Sequence, residues 1–192
     1  MKVVKFQAQV DEIKCIGDRL CETVCPGAAI QVFGEKAAVD EKKCMGCGNC
    51  SDICGEAAIS MVTREEPLLF GINPEEVNQE QLIQLCLKAN LHPKQLICLC
   101  TATRVNEVAA AILKGAHTME DIIHMTGVCS GCTVYCIEPM LRLLKARGIE
   151  PAFEKGRRLY NITQTLWDVP EEIIREHPGY YLKEDKDVFR KF

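Results

Sequence analysis

Two stretches of this chain, CIGDRLCETVC (Cys15 to Cys25) and CMGCGNCSDIC (Cys44 to Cys54), superimpose at an offset of 29 positions. The match extends outwards: VDEIKC lies over VDEKKC, Cys21 over Cys50, Cys25 over Cys54, and Ala28-Ala29-Ile30 over Ala57-Ala58-Ile59. One unit therefore occurs twice. Each copy ends in a strand-like run, Ala29 to Phe33 and Ala58 to Thr63, and Val4-Lys5-Phe6 supplies material for another strand. Neither copy holds enough apolar side chains to fold around a core of its own, so something covalent or coordinative has to stand in for one. The copies differ at one informative position: Asp18 stands where the second has Cys47.

Thirteen cysteines among 192 residues admit two explanations, disulfides or metal. The opening MKVVKFQAQVDEIKC carries charged residues too early for a secretory leader, and no uninterrupted apolar run approaches the ~18 residues of a membrane span. A soluble cytoplasmic protein is the expectation. In that reducing compartment clustered thiols read as metal ligands rather than as bridges. A net charge of -4 argues against nucleic acid as a main partner and is compatible with docking on a basic protein surface.

C-x2-C-x2-C-x3-C is the spacing by which a tight loop gives three thiolates to one cubic 4Fe-4S cluster and the fourth to a neighbouring cluster. Cys44, Cys47, Cys50 and Cys54 fit it, and Cys15, Cys21 and Cys25 fit it in the first copy, with Pro26 following. On these motifs, residues 1–66 resemble the bacterial dicluster ferredoxins, departing from them at Gly55, where the family usually has proline. The resemblance implies a cluster I on Cys15, Cys21 and Cys54 with Asp18 at its fourth corner, and a cluster II on Cys25, Cys44, Cys47 and Cys50. Zinc is the alternative metal. A carboxylate is a harder and weaker partner for iron than a thiolate, so the Asp18 corner is expected to be labile. An aspartate there resembles the family variant that holds a 3Fe-4S cluster, or a 4Fe-4S cluster with an oxygen ligand. Both stay open, as does an Asp18 turned towards water.

Residues 67–94 read as a linker with one helix, entered through a solvated Arg64-Glu65-Glu66 run. Asn73 would cap the helix, Pro74 would open it, and Glu75 and Glu76 would lie at its positive end; Ala89 and Pro93 mark its close. Leu82, Leu85 and Cys86 lie on its apolar side, with Cys86 as a buried structural thiol. Further helices are predicted over Val105 to Lys114, closed by Gly115, over Met119 to His124, closed near Gly127, and from about Ile137, because Pro139 suits a first turn.

Around these helices lie Cys98-Leu99-Cys100 and TGVCSGCTVYC, with Cys129, Cys132 and Cys136. Thiols of a C-x-C do not bridge one another comfortably, but they can grip one metal centre from a loop. Residues 95–145 resemble the bacterioferritin-associated ferredoxin (BFD) type of 2Fe-2S domain, a small all-α helix-turn-helix unit. The resemblance puts Cys98, Cys100 and Cys132 among the ligands. The family's C-x2-C would place the fourth at Tyr135, so Cys136 and Cys129 are both candidates. A helix starting near Ile137 favours Cys136, which would then lie beside the positive helix end. Zinc is again the alternative.

Residues 146–192 contain no cysteine but carry Tyr160, Trp167, Tyr180 and Tyr181, with Pro170-Glu171-Glu172 opening a short helix. This extended tail either docks on a partner or packs on its own domain. His92, His117, His124 and His177 show no metal spacing, and no GxGxxG follows a strand. The expected fold class is α+β: a ferredoxin-like dicluster domain, then the 2Fe-2S unit and the tail. The expected function is electron transfer rather than catalysis by the chain alone. Single electrons would pass among the 2Fe-2S centre, two cubane clusters and a flavoprotein or metal-dependent subunit of a hetero-oligomeric oxidoreductase. A redox or iron sensor built on the labile Asp18 corner and a free soluble ferredoxin are the alternatives. Oxygen-sensitive thiolates and clusters point to an anaerobic setting.

Overall fold

The computed structural model describes residues 2–150 and 166–189, which form an α+β structure of small two-stranded sheets and short helices. In the first part the order is β1 (Lys2–Val10), α1 (Leu20–Val24), β2 (Ile30–Phe33), β3 (Lys36–Val39), α2 (Asn49–Ile53) and β4 (Ile59–Phe70). β1 pairs antiparallel with β4, setting Val10 opposite Ile59 and Lys2 opposite Phe70, so the two ends of this part close on each other. β2 and β3 form a hairpin with Ile30 opposite Val39.

Each cysteine loop leaves its strand through the same turn. Asp11 Oδ1 accepts the Ile13 N–H and Asp40 Oδ1 accepts the Lys42 N–H, both at 3.0 Å. The Cys15 and Cys44 amides then donate to the Asp11 and Asp40 carbonyls, again at 3.0 Å. Aspartate bonding to the backbone two residues on is why the same Val-Asp-Glu precedes both loops. The core here is thin: Ala8, Ala29, Ile30, Val32, Ala37 and Ile59, with Cys21, Cys44 and Cys50 among them.

β4 continues through Arg64-Glu65-Glu66 to Phe70, with a break in register where Phe6 faces Thr63 and Val4 faces Leu68; Glu65 and Glu66 are exposed, as expected, but the run belongs to a strand and not to a linker. The Arg64 guanidinium donates to the carbonyls of Phe6 (3.2 Å), Glu41 (2.7 Å) and Cys44 (2.7 Å) and to Gln7 Oε1 (2.8 Å). A planar fork of five donors can serve these acceptors together, and an ammonium cannot. Arg64→Ala is therefore expected to lower the unfolding free energy of the metal-loaded protein by about 2 kcal/mol, read by chemical denaturation. Arg64→Lys should recover little of it; full recovery would contradict the role given to the fork.

The second part begins with a 3-10 turn, Pro74–Glu76, capped by Asn73, whose side chain accepts the Glu75 N–H at 3.1 Å. The helix expected from Asn73 does not continue from it. Val77 is extended, and Asn78 caps a fresh start by accepting the Gln81 N–H, so that α3 runs Gln79–Lys88. Then follow β5 (Leu96–Cys98), β6 (Thr103–Arg104), α4 (Val105–Leu113), α5 (Met119–Thr126) and α6 (Ile137–Arg147), with Gly127 and Gly148 closing α5 and α6 in the left-handed region. The β5–β6 ribbon corrects the all-α expectation for this part. Strands of three and two residues are too short to leave a period-two signature.

This part has a substantial core, built on Leu82, Leu85, Val105, Val108, Ile122, Ile123, Met140 and Leu144, with Cys86 wholly buried as expected. Each large side chain so buried is worth ~2 kcal/mol. Beyond it come a 3-10 turn over Leu166–Asp168, α7 (Glu171–Glu176), a second turn over Pro178–Tyr180 and α8 (Leu182–Phe189). Where this segment meets α6, Lys145 Nζ lies 2.9 Å from Asp168 Oδ1 and the Arg142 guanidinium stands 5.9 Å from the Trp167 ring centroid. Tyr180 and Tyr181 are exposed, and Tyr160 lies outside the described residues. Among the described residues no helix is long and apolar enough to cross a membrane.

Candidate metal centres

Cys25, Cys44, Cys47 and Cys50 line one small cavity, with Ala8, Pro26 and Met61 around them. Cys15, Asp18, Cys21 and Cys54 line another, with Gly17, Val32 and Ala37. Each cavity thus takes its last cysteine from the other copy. The exchange follows from local geometry. Arg19 (φ 65) and Gly48 (φ 83) turn each loop into its short helix, and Cys25 and Cys54 then leave in extended conformation.

Gly17 (φ 73) and Gly46 (φ 64) hold the turns just before Asp18 and Cys47. A Cβ at either would stand 2.6 Å from a carbonyl oxygen, that of Glu35 for Gly17 and of Phe6 for Gly46. Both the backbone angle and the space demand glycine. The sequence reading passed over this pair, although the 29-residue offset that relates the cysteines relates these glycines too.

Backbone amides point at the sulfurs: Ala29 N–H to Cys25 Sγ at 3.2 Å, Ala58 to Cys54 at 3.4 Å, Ala37 to Cys15 at 3.4 Å and Ala8 to Cys44 at 3.5 Å. Burial pushes the Cys21 thiol up to about 11, with the charges of Asp18, Glu22 and Cys15 adding to it. Burial likewise raises Cys47 to about 11 and Cys50 to about 12, helped by the neighbouring cysteines. Such thiols resist ionising alone, whereas bound cations would offset the cost of crowding thiolates together. The donor set, the exchanged cavities and the amides aimed at sulfur all fit a thiolate-held metal group. Asp18 is exposed at the edge of its cavity, where its Oδ1 accepts the Leu20 N–H at 3.1 Å.

The helical part gathers five cysteines. Cys98 is held up at about 12 by its hydrogen bond to the Cys136 thiol and by burial. Cys136 is also raised to about 12, first by its hydrogen bond to the Cys129 thiol. Cys100 and Cys132 are exposed; the Cys132 N–H points at Cys100 Sγ (3.5 Å), and the Val134 amide followed by the Cys100 thiol lowers the pKa of Cys132. Cys136 stands at the N-cap position of α6, where the Pro139 argument expects it, but its side chain makes no bond to the helix end, and thiol contacts come first in setting its ionisation. Cys129, fully buried at φ 65, lies in the same group. Among the described residues no three His, Cys, Asp or Glu side chains close on a single point as the ligands of one ion do.

His124 of α5 lies at the seam between the two parts. Its Nε2 is buried without a hydrogen-bond partner, 3.0 Å from where a Cβ on Gly27 would stand. Burial lowers its pKa and Lys43 adds to that, outweighing the Gly27 backbone, Glu120 and Asp121. The folded chain then binds fewer protons here than the unfolded chain, so stability is full above the ordinary imidazole pKa and falls as pH drops through the native one. Between pH ~8 and ~5.5 the native protein should lose more stability than His124→Gln, in denaturant titrations at both pH values.

Comparison with known families gives two matches. Residues 13–65 match the LdpA Fe-S cluster-binding domain, and residues 96–146 match the BFD-like 2Fe-2S binding domain. No curated protein and no solved structure matches the chain. The chain is thus similar in two separate segments to iron-sulfur-binding domains, the second of the 2Fe-2S type.

Proposed function

We propose that the chain is an electron-transfer subunit with three iron-sulfur centres, which exchanges single electrons with a flavin- or metal-dependent catalytic partner in the cytoplasm of an anaerobe. The observation that carries the reading is the exchange of cysteines between the two copies, Cys25 joining Cys44, Cys47 and Cys50 while Cys54 joins Cys15 and Cys21. That arrangement suits two cubane clusters, as in the dicluster ferredoxins. The similarity of residues 96–146 to a 2Fe-2S domain supports the third centre, on Cys98, Cys100, Cys132 and Cys136, with Cys129 as the other candidate for the fourth position. Bound there, the clusters would supply one-electron redox chemistry.

The polypeptide does the rest. Its amides donate to sulfur and so favour the more electron-rich state of whatever the sulfur binds. Its helical core supports the third group, and the tail that meets α6 at Asp168 would offer Tyr180 and Tyr181 to a partner subunit. Isolation of the protein from its native source under anaerobic conditions tests the proposal. A flavoprotein or a molybdenum or tungsten enzyme should accompany it in fixed ratio, with iron and sulfide present. A colourless protein holding zinc would overturn it.

The exposure of Asp18 favours a second reading, a sensor that loses one iron from that corner and changes its binding to a target. Partner affinity measured before and after mild anaerobic oxidation separates the two, since a relay subunit should bind equally well in both states.

A further inference from the structure

Resting on the three-centre reading above, we infer that the cysteine group of the helical part couples directly to Cys25, Cys44, Cys47 and Cys50, with Asn49 and Met45 as the positioning residues. The cysteine set that includes Asp18 is then reached only through them. Asn49, next to Cys50, donates from Nδ2 to the Gly131 carbonyl at 3.4 Å, and Gly131 lies in the loop between Cys129 and Cys132. Cys25, Asn49 and Cys132 line one groove of about 460 Å³. A second groove brings Met45 and Gly46 together with Cys100 and Ser130. Both ligand loops of the helical part therefore face the Cys44–Cys50 loop. Met45, between Cys44 and Cys47, is 6% exposed and packs into the helical core rather than into its own thin one. The two loops approach so closely here that only glycine fits at 131, since a Cβ there would lie 2.6 Å from the Cys100 Cβ. The cavity of Cys15, Asp18, Cys21 and Cys54 is lined by residues from within 15–59, with no contribution from the 96–146 segment.

Electron tunnelling weakens steeply with separation, so contact between loops decides the route. Each transfer oxidises the donor site by one electron and reduces the acceptor site by one, with no bond made or broken. The electron enters from an external reductant, dithionite in the test, and leaves to a one-electron acceptor.

The test uses the full, iron-loaded protein reduced with dithionite, and follows the spin relaxation of the 2Fe-2S signal by electron paramagnetic resonance. Relaxation should be enhanced in the native protein, stay enhanced in Cys15→Ala/Cys21→Ala, and lose the enhancement in Cys44→Ala/Cys47→Ala. Met45→Ala/Asn49→Ala, with iron and sulfide content unchanged, should weaken the enhancement, a readout that a merely stabilising role would not move; this variant decides the matter should the cysteine variants fail to fold. An iron-loaded protein whose relaxation follows the Cys15 set, shows no enhancement, or ignores Met45 and Asn49 overturns the inference alone. A protein without iron overturns the cluster reading and the inference with it.

Discussion

Stripping the iron from the reduced protein with a chelator is expected to unfold residues 2–70 and leave α3 to α6 folded. The two parts hold together by different means. Around β1 to β4 the buried residues are chiefly alanines, a few β-branched side chains and cysteines, a core too small to offset the entropy of ordering some seventy residues. Coordination has to supply the difference, and structural metal sites contribute on the order of 10 kcal/mol. The helical part buries Leu82, Leu85, Ile122, Ile123, Met140 and Leu144 among others, and needs no such help. Hydrogen exchange should show the amides of the β1–β4 pair losing protection after chelation while those of α4 and α6 keep most of theirs. Strand amides that stay protected without iron would mean that the carbon core suffices and that coordination is not what holds this part together.

The second large effect is spectroscopic. Anaerobic oxidation of the native protein should produce a 3Fe signal by electron paramagnetic resonance, and Asp18→Cys should abolish it. A thiolate holds iron more firmly than a carboxylate, and the carboxylate here is exposed, with one oxygen already accepting the Leu20 N–H. The loop has a cysteine at the equivalent position of the second copy, and Gly17 and Gly46 give both loops the same left-handed turn before it, so the replacement should be accommodated. Persistence of the signal would clear Asp18 and direct attention to Glu56, which borders the same cavity.

Much of this architecture could be read from the residues, for reasons that differ from element to element. The helices α4, α5 and α6 were legible because Gly115 and Gly127 mark where the first two stop and Pro139 marks the first turn of the third, whereas the close of α6 at Gly148 was not read. The Asn73 cap was legible too, but not that Asn78 would restart the helix, because two capping residues five apart offer equal local arguments, and in the structure both are used. The grouping of the first eight ligand candidates was what the family resemblance implies, carried onto the matching positions. Arg64 was missed because its value lies in four acceptors that are distant in sequence. Met45 was missed for a related reason: within a run of cysteines and glycines nothing marks one methionine as belonging to another part's core.

The pairing of β1 with β4 bears on how the chain is made. During synthesis β1 must wait until Phe70 has emerged before it is fully matched, and until then its edge is open to other chains. Cys50 completes one sulfur group and Cys54 the other well before that moment. Metal delivery during synthesis could thus gather the nascent segment ahead of its own sheet, and a cell short of iron should accumulate this protein as aggregates rather than as a soluble apo form.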